Sequence, residues 1–197
     1  MKIGIYGGSF DPVHNGHVKL ARFMLDALRL DKLFIVPAFL SPFKRTDAAC
    51  AADRAEMCRL AFDDPRFEVL TVETDRGGKS YTAETVSEIK RLYGENDYYL
   101  IVGSDQLLKF NCWYRFADIL TEVTLCAVSR SGNDGKAELE LFADKELRKY
   151  GRVLICDFEP LDVSSTVVRG ILAVGGSAAG LIPEKEESYI KDRGLYR

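Results

Sequence analysis

Both histidines of the chain lie in one short segment, "YGGSFDPVHNGH", over residues 6–17. His14 and His17 are three residues apart and flank Gly16, where a Gly-rich turn leads into the amphipathic stretch "HVKLARFMLDAL". This spacing predicts both imidazoles on one side of the turn, and Gly16 removes a side chain that would cover the site. Because the first turn of a helix has free N–H groups and the positive end of the dipole, we predict an anion site here.

The turn before the histidines has further features of an anion-binding loop. Gly7 and Gly8 are expected to give the backbone conformations denied to other residues and to expose bare N–H groups. A zinc site is disfavoured, because HxxH supplies two ligands and no carboxylate or cysteine cluster has matching spacing. A dinucleotide cofactor is disfavoured too, because the chain has "GGSFDP" instead of GxGxxG and "KLFIVPAF" ends without an acid.

A second candidate anion site lies in "DVSSTVVRGIL". Ser164 and Ser165 are N-cap candidates, so the segment offers another set of free N–H groups together with the hydroxyls of Ser165 and Thr166. Arg169 follows one turn later, and its guanidinium can reach back because helical side chains lean toward the N-terminus. Taken singly, such a string is most simply a capped surface helix; its combination with the first site favours a binding role.

The composition predicts one globular protein without a polyanion-binding surface. The 197 residues are 47% apolar, and 27 basic against 30 acidic side chains give a net charge of -3. We therefore expect no nucleic-acid partner. The N-terminal apolar run is too short for a signal peptide and no run could span a bilayer, so we expect a cytoplasmic protein without a membrane partner. Five scattered cysteines without a CxxC pair are predicted to be reduced, packed thiols.

Six short apolar runs alternate with helical patterns: "KIGIY", "KLFIVP", "FEVLTV", "YYLIVG", "VTLCAV" and "RVLICDF". This alternation predicts a doubly wound parallel sheet, a Rossmann-like α/β fold, in a single domain over 1–197. A small C-terminal helical segment, about 160–197, carries the SSTxxR motif, and 134–149 is expected to be a solvated crossover. Ligands of such sheets bind beyond the carboxyl ends of the strands. The predicted helices span 17–29, 50–63, 82–93, 104–110, 134–149, 166–174 and 184–193.

Together the motifs resemble one enzyme family. "GGSFDPVHNGH" is similar to the HxGH signature of the nicotinate-nucleotide adenylyltransferases, members of the HxGH nucleotidyltransferase superfamily, and "VSSTVVR" is similar to their second signature. "SYTAETV", "GSDQ" followed by Trp113, and "YIKDRGLY" extend the likeness over nearly the whole chain. The chain departs from the usual pattern at Phe43, where histidine is common, at Glu84 in place of aspartate, and at Gly180 in place of an aromatic residue.

The resemblance implies adenylyl transfer from ATP to nicotinic acid mononucleotide, which yields nicotinic acid adenine dinucleotide and pyrophosphate in NAD biosynthesis. A phosphate monoester has a second pKa of ~6, so the nucleophile is largely ionised at neutral pH and needs no general base. Catalysis then rests on positioning and charge neutralisation in a direct in-line displacement. Mg²⁺ is expected to accompany ATP, with no metal site built from protein side chains.

The resemblance also implies four catalytic residues. His17 and His14 would donate hydrogen bonds to the ATP phosphates, and bound phosphate is expected to favour their protonated forms. Lys44 would bring a mobile positive charge. Arg169 and the N–H groups of its helix start would hold the β- and γ-phosphates and stabilise the departing pyrophosphate.

Substrate-binding residues follow from the same likeness. Asp105 would bind a ribose hydroxyl or help to fix the magnesium complex, and Gly103 would keep the approach open. Trp113 would stack on the pyridinium ring, while backbone N–H groups near Thr82 and Tyr114 would meet its carboxylate. The predicted ATP-binding set is Gly7, Gly8, Ser9, Phe10, Gly16, Gly103, Asp105, Ser165 and Thr166.

Other functions stay open at this point. Adenylyl transfer to nicotinamide mononucleotide or phosphopantetheine, or cytidylyl transfer, would share HxGH, although the last two are not expected to share "GSDQ" with Trp113. A non-catalytic nucleotide sensor is a candidate of another class. It would be expected to have lost its phosphate-facing residues, and His14, His17, Lys44 and Arg169 are all present.

Overall fold

The computed structural model describes residues 1–42, 48–130 and 133–197 and contains a six-stranded parallel sheet. The strands are β1 (Lys2–Gly8), β2 (Lys32–Pro37), β3 (Phe67–Val69), β4 (Asp97–Val102), β5 (Thr124–Arg130) and β6 (Val153–Phe158). Their order is β3-β2-β1-β4-β5-β6, and every neighbouring pair is parallel. The winding direction reverses between β1 and β4, where such sheets have their ligand crevice. The predicted doubly wound α/β class is confirmed.

Helices cover both faces of the sheet. They are α1 (Asn15–Ala27), α2 (Ala51–Ala61), α3 (Val72–Arg76), α4 (Thr82–Tyr93), α5 (Ser104–Leu107), α6 (Phe116–Glu122), α7 (Asn133–Phe142), α8 (Ser165–Ala173) and α9 (Glu184–Arg193). Within the described ranges, no helix has the length and apolarity needed to cross a membrane. Five predicted helices are confirmed to within two residues at each end, namely 17–29, 50–63, 82–93, 166–174 and 184–193.

Short elements account for most of the differences from the sequence predictions. The run "FEVLTV" is a strand only over Phe67–Val69, because Val72 already begins α3. The predicted helix 104–110 ends at Leu107, and a separate 3-10 turn covers Phe110–Cys112. Neither α3 nor α6 was predicted, since five to seven residues are too few for helical periodicity to show.

The predicted segment over 134–149 is helical and crosses from β5 to β6 as expected, but one of its faces is buried and not solvated. After α7 the chain continues as a π-helical turn over Ala143–Leu147. Leu139, Ala143 and Leu147 are spaced by four residues, share one face and are buried in the core. The segment is therefore an amphipathic helix that closes one face of the sheet.

Alternate strand residues face two apolar cores. Ile3 and Ile5 of β1 lie in the core beneath α4, α6 and α7, whereas Tyr6 lies in the core beneath α1, α2, α8 and α9. Met24 and Leu25 of α1 are fully buried, and each such side chain contributes ~1.5–3 kcal/mol to stability. The starts of α1 and α8 thus lie on the same face of the sheet, which brings the two predicted anion sites together.

The cysteine prediction holds only in part. All five thiols are free, as expected, and Cys58 and Cys126 are buried. Cys50 and Cys112 are exposed, so the expectation of packed thiols is wrong for these two. Cys50 instead caps α2, where its Sγ accepts a hydrogen bond of 3.4 Å from the backbone N–H of Asp53.

Candidate active site

The two histidines form a reciprocal cap at the start of α1. The backbone N–H of His17 donates to His14 Nδ1 at 3.3 Å, and the backbone N–H of His14 donates to His17 Nδ1 at 3.1 Å. Their rings stack, with 3.6 Å between centroids and 21° between planes, which confirms that both lie on one side of the turn. Because each Nδ1 accepts, the neutral form of each ring has its proton on Nε2. Nε2–H is therefore the donor that each ring offers to a ligand.

Burial determines the charge of His14. The residue is 9% exposed, and desolvation lowers its pKa to about 4. Protonation would also place a hydrogen on Nδ1 and remove the acceptor of the helix cap. In the ligand-free protein at neutral pH His14 therefore presents a neutral donor, and its protonation beside bound phosphate stays a prediction.

Gly16 is required by His14 itself. A Cβ atom at Gly16 would lie 2.9 Å from His14 Nδ1 and 3.1 Å from Cγ1 of Val163. A side chain here would displace the imidazole before it could cover a ligand. The structure thus gives helix-cap geometry as a reason for glycine here, and the predicted role of keeping the site uncovered stays a prediction.

The two earlier glycines have a different role from the predicted one. Gly7 and Gly8 end strand β1, and neither has a positive φ, so the expectation of a special backbone conformation is wrong. The residue with positive φ is Phe10, at 49°. Its ring lies over Gly8, where a Cβ atom would be 3.0 Å from the ring. Glycine at position 8 thus makes room for the phenyl ring.

Asp11, in the loop after β1, is hydrogen-bonded to the segment before α2, to α8 and to the C-terminal turn. It is 3% exposed, and its carboxylate accepts hydrogen bonds from the backbone N–H groups of Ala48 at 2.7 Å and Ala49 at 3.1 Å. The Tyr196 hydroxyl donates to the same carboxylate at 2.7 Å, and Arg169 Nη1 donates to the Asp11 carbonyl at 2.6 Å. Asp11 could not be singled out from the sequence, because its partners are scattered along the chain.

Helix α8 begins against the loop that follows β1. Ser164 is its N-cap, and its Oγ accepts a hydrogen bond of 3.3 Å from the backbone N–H of Val167, as predicted. The Ser165 hydroxyl donates to the Pro12 carbonyl at 2.8 Å. In the ligand-free protein the Ser165 hydroxyl thus joins the two predicted anion sites, and its backbone N–H is the group left to face a ligand.

The Arg169 guanidinium reaches back over the start of α8. Besides its bond to Asp11, it donates from Nη2 to Thr166 Oγ1 at 3.3 Å. The predicted direction of the side chain is confirmed. Its positive charge therefore lies between the start of α8 and the loop that leads into α1.

Another arginine, Arg54, is buried and holds the neighbouring loops together. Arg54 is 1% exposed and donates to the carbonyls of Ser9 at 2.7 Å, Ala38 at 2.6 Å, Phe39 at 2.8 Å and Ala49 at 3.2 Å. The oxygen atoms of these carbonyls point toward the Arg54 guanidinium, and so not toward the place where an anionic ligand would bind. Arg54 could not be singled out from the sequence, because an arginine inside a helical pattern usually lies on the surface.

The end of β4 adds a carboxylate beside β1. Asp105 is exposed, and its Oδ2 accepts a hydrogen bond of 2.8 Å from Gln106 Nε2. A Cβ atom at Gly103 would lie 2.9 Å from Asp105 Oδ1, so this glycine makes room for the carboxylate. The predicted catalytic Lys44 lies outside the residues that the structure describes.

The predicted pyridine-binding residues lie among other aromatic side chains. Trp113 is partly buried against Phe110, with 4.8 Å between ring centroids, and its buried Nε1 has no hydrogen-bond partner among the described residues. Tyr114 is 53% exposed, and its ring lies 5.0 Å from that of Tyr81, directly before Thr82 at the start of α4. The structure thus brings the segment after Trp113 to a helix start whose first N–H groups lack intrahelical partners.

Comparison with known proteins agrees with this geometry. A family model described as cytidylyltransferase-like matches residues 5–171. Relatives from Exiguobacterium sibiricum and Bordetella petrii, both named "Probable nicotinate-nucleotide adenylyltransferase", are 36% and 38% identical over 198 residues, covering 100% of this chain and 99% of each relative. The Plasmodium falciparum nicotinic acid mononucleotide adenylyltransferase complexed with NaAD has a TM-score of 0.76 at 17% identity, over 99% of this chain and 97% of that one.

Proposed function

The chain belongs to the cytidylyltransferase-like family, among its nicotinate-nucleotide adenylyltransferases, and on this premise we propose that it transfers the adenylyl group of ATP to nicotinic acid mononucleotide. The products are nicotinic acid adenine dinucleotide and pyrophosphate, in a step of NAD biosynthesis, and residues 1–197 act as one nucleotidyltransferase domain. The observation that carries the proposal is the junction of two helix starts, where Ser165 binds Pro12 and Arg169 binds Asp11. A triphosphate needs such an extended row of donors and positive charge.

The histidine pair acts on the α-phosphate. The acceptor phosphate attacks in line and is already largely ionised, so no side chain has to remove a proton. His17 and His14 donate from Nε2 to the phosphate oxygens on which negative charge develops. Their cap holds both rings before ATP binds, so little reorganisation is needed in the transition state.

The leaving pyrophosphate is held at the start of α8. The N–H groups of Ser165 and Thr166 belong to the first helical turn and have no intrahelical partners. Arg169 adds a positive charge that Asp11 and Thr166 already hold in place, which lowers the entropic cost of binding. Lys44 is proposed as a further cation at the phosphates from its place in the sequence.

Mg²⁺ enters with ATP as part of the substrate. The described part of the chain has no group of three or more His, Cys, Asp or Glu side chains that could hold a metal. Mg²⁺ keeps several waters and binds mainly through substrate phosphates with one or two carboxylates, so this donor set fits. Asp105, exposed at the end of β4, is the proposed carboxylate for the magnesium complex or for a ribose hydroxyl.

The pyridine ring is proposed to lie between Trp113 and the start of α4. Backbone N–H groups near Thr82 and Tyr114 suit the carboxylate of the acid and not the NH₂ group of the amide, which would leave donors facing a donor. We therefore expect kcat/KM for nicotinic acid mononucleotide to exceed that for nicotinamide mononucleotide by at least about tenfold, the factor that ~1.4 kcal/mol supplies. Trp113→Ala should impair both substrates, because stacking depends on the ring and not on its substituent.

The test is to incubate the protein with ATP, Mg²⁺ and one acceptor at a time, and to follow pyrophosphate release. Nicotinic acid mononucleotide should give rapid release, nicotinamide mononucleotide slower release, and phosphopantetheine none. Equal efficiencies for the two mononucleotides would contradict recognition of the carboxylate by backbone donors. ATP binding without turnover of any acceptor would instead favour the sensor.

A further inference from the structure

Tyr196 lies next to the last residue, at the end of the segment "YIKDRGLY", and has no role in the predicted site. Helix α9 ends at Gly194, whose left-handed conformation at φ 62° turns the chain back, and the N–H of Leu195 donates to the Ile190 carbonyl at 3.1 Å. This turn packs Tyr196 against the core beneath α1 and α2. Its hydroxyl donates to Asp11 Oδ1 at 2.7 Å, which joins positions 185 residues apart.

The phenol is a neutral donor at working pH. Burial and the hydrogen bond to Asp11 both raise the pKa of Tyr196. The Asp11 carboxylate is buried as well, and its donors among the described residues are Tyr196 and the N–H groups of Ala48 and Ala49. A buried carboxylate is costly unless it accepts such hydrogen bonds. Removal of the hydroxyl would take away one of the two donors to Oδ1 that lie within the described residues.

Asp11 transmits this constraint to the phosphate site. Its carbonyl accepts from Arg169, and the next carbonyl, that of Pro12, accepts from Ser165 at the start of α8. A rotation of the Asp11 side chain toward a new partner would move this peptide segment and the guanidinium with it. We propose that Tyr196 is a positioning residue for the phosphate site, acting through Asp11 on Arg169; this rests on the proposed function.

The protein contains a matched control. Tyr189 of α9 donates to Asp53 Oδ1, also at 2.7 Å. Asp53 lies in α2, and within the described segments it bonds to Cys50, Tyr189 and Arg193 and not to the loop after β1. Tyr189→Phe therefore removes the same kind of hydrogen bond from the same C-terminal region without touching the phosphate site.

The experiment compares Tyr196→Phe and Tyr189→Phe in the full chain. Calorimetric titration with Mg·ATP, without acceptor, measures binding, and steady-state kinetics measures kcat and both KM values. We expect Tm to fall by ~2–4 °C in both variants, the shift typical of losing one hydrogen bond in a chain of this size. Mg·ATP binding should weaken about five- to tenfold in Tyr196→Phe, with the KM for the mononucleotide unchanged, and less than about twofold in Tyr189→Phe.

A double variant tests the route through Arg169. If Tyr196 acts through this guanidinium, Tyr196→Phe should weaken Mg·ATP binding no further once Arg169→Ala is present. Truncation after Leu195, with truncation after Tyr196 as its control, should repeat the Tyr196→Phe result. Equal losses in Tyr196→Phe and Tyr189→Phe, unchanged Mg·ATP binding, or additive effects with Arg169→Ala would each overturn the proposal.

The proposed function can fail separately. A wild-type protein that binds Mg·ATP but adenylylates no acceptor would overturn the proposed function, while the binding titrations would still decide the role of Tyr196. A wild-type protein that does not bind Mg·ATP would overturn both.

Discussion

Helices α1 and α8 begin at the same edge of the sheet with the same kind of cap but in different surroundings. In each, the residue before the helix accepts a hydrogen bond of 3.3 Å from the third helical N–H, through His14 Nδ1 in α1 and Ser164 Oγ in α8. His14 is buried and stacked on a second ring, whereas Ser164 is exposed and close to the charged Arg169. The α1 start therefore provides donors of fixed direction, of which His14 is neutral, and the α8 start provides charge.

This difference matches the two ends of the proposed displacement. Negative charge that develops at the α-phosphate is stabilised best by donors that do not move, because the gain then appears in the transition state and not in ground-state binding. The departing pyrophosphate keeps a high charge throughout, so a nearby cation lowers the energy of bound ATP and of the product alike. Substitutions at α1 should thus act on kcat and substitutions at α8 on ATP affinity.

The largest expected effect is that of His17→Ala. Loss of one preorganised donor should lower kcat by roughly 10²–10³-fold, with a smaller change in KM. Steady-state rates at saturating ATP and mononucleotide measure this. His17→Gln is the control for helix stability, because a glutamine side chain at the third helical position can accept the hydrogen bond from the His14 backbone N–H. A folded His17→Ala protein with unchanged kcat would contradict the assignment.

Arg169→Ala should have the next largest effect. Loss of a charged hydrogen bond of ~1.5–3 kcal/mol should reduce kcat/KM for ATP by roughly 10–100-fold and leave mononucleotide affinity nearly unchanged. Arg169→Lys keeps the charge but not the planar fork and should lie between the two. Separate binding titrations of the two substrates test this. If only the affinity for the mononucleotide fell, Arg169 would belong to the mononucleotide site and not to the ATP site.

A pair of glycine substitutions tests the difference between α1 and α8 by its effect on the free energy of unfolding. Gly16→Ala would bring a Cβ atom to 2.9 Å from His14 Nδ1, whereas nothing lies within 4 Å of a Cβ atom at Gly170 in α8. We expect Gly16→Ala to destabilise the protein by ~1–3 kcal/mol and to lower kcat by displacing His14. Gly170→Ala should stabilise it by ~0.5–1 kcal/mol through helix propensity. Urea unfolding measures both, and equal effects would contradict a special requirement at Gly16.

The sequence was sufficient for the sheet and for the start of α8, because local patterns encode them. Apolar runs indicate strands, and Ser164 is a usual N-cap residue. The cap of α1 was not predicted, because histidine is not among the usual N-cap residues. The pairing of Tyr196 with Asp11 could not be predicted from one sequence, since it joins two ordinary polar residues through tertiary packing. Arg54 was missed for a similar reason: its partners are backbone carbonyls, which leave no trace in residue types.

The burial of His14 is also a tertiary property that one sequence does not reveal, and it leads to the smallest expected effect. The folded-state pKa is about 4, below the ordinary value of 6.5, so between these values the unfolded chain binds a proton that the folded protein does not. Stability should therefore fall as pH is lowered through this window and be fully present above it. From pH 7.5 to 5.5 the loss due to His14 should be about 1 kcal/mol.

Urea unfolding of wild type and His14→Asn at both pH values isolates this loss. Asparagine is a good N-cap and does not titrate, so the variant should keep α1 while losing about 1 kcal/mol of the pH dependence. Ser164→Asn, the equivalent change at the α8 cap, should leave the pH dependence as it is in wild type, because the hydroxyl that it replaces does not titrate in this range. Identical pH dependence in wild type and His14→Asn would mean that the pKa of His14 is not lowered in the folded protein, and burial would then not keep this donor neutral.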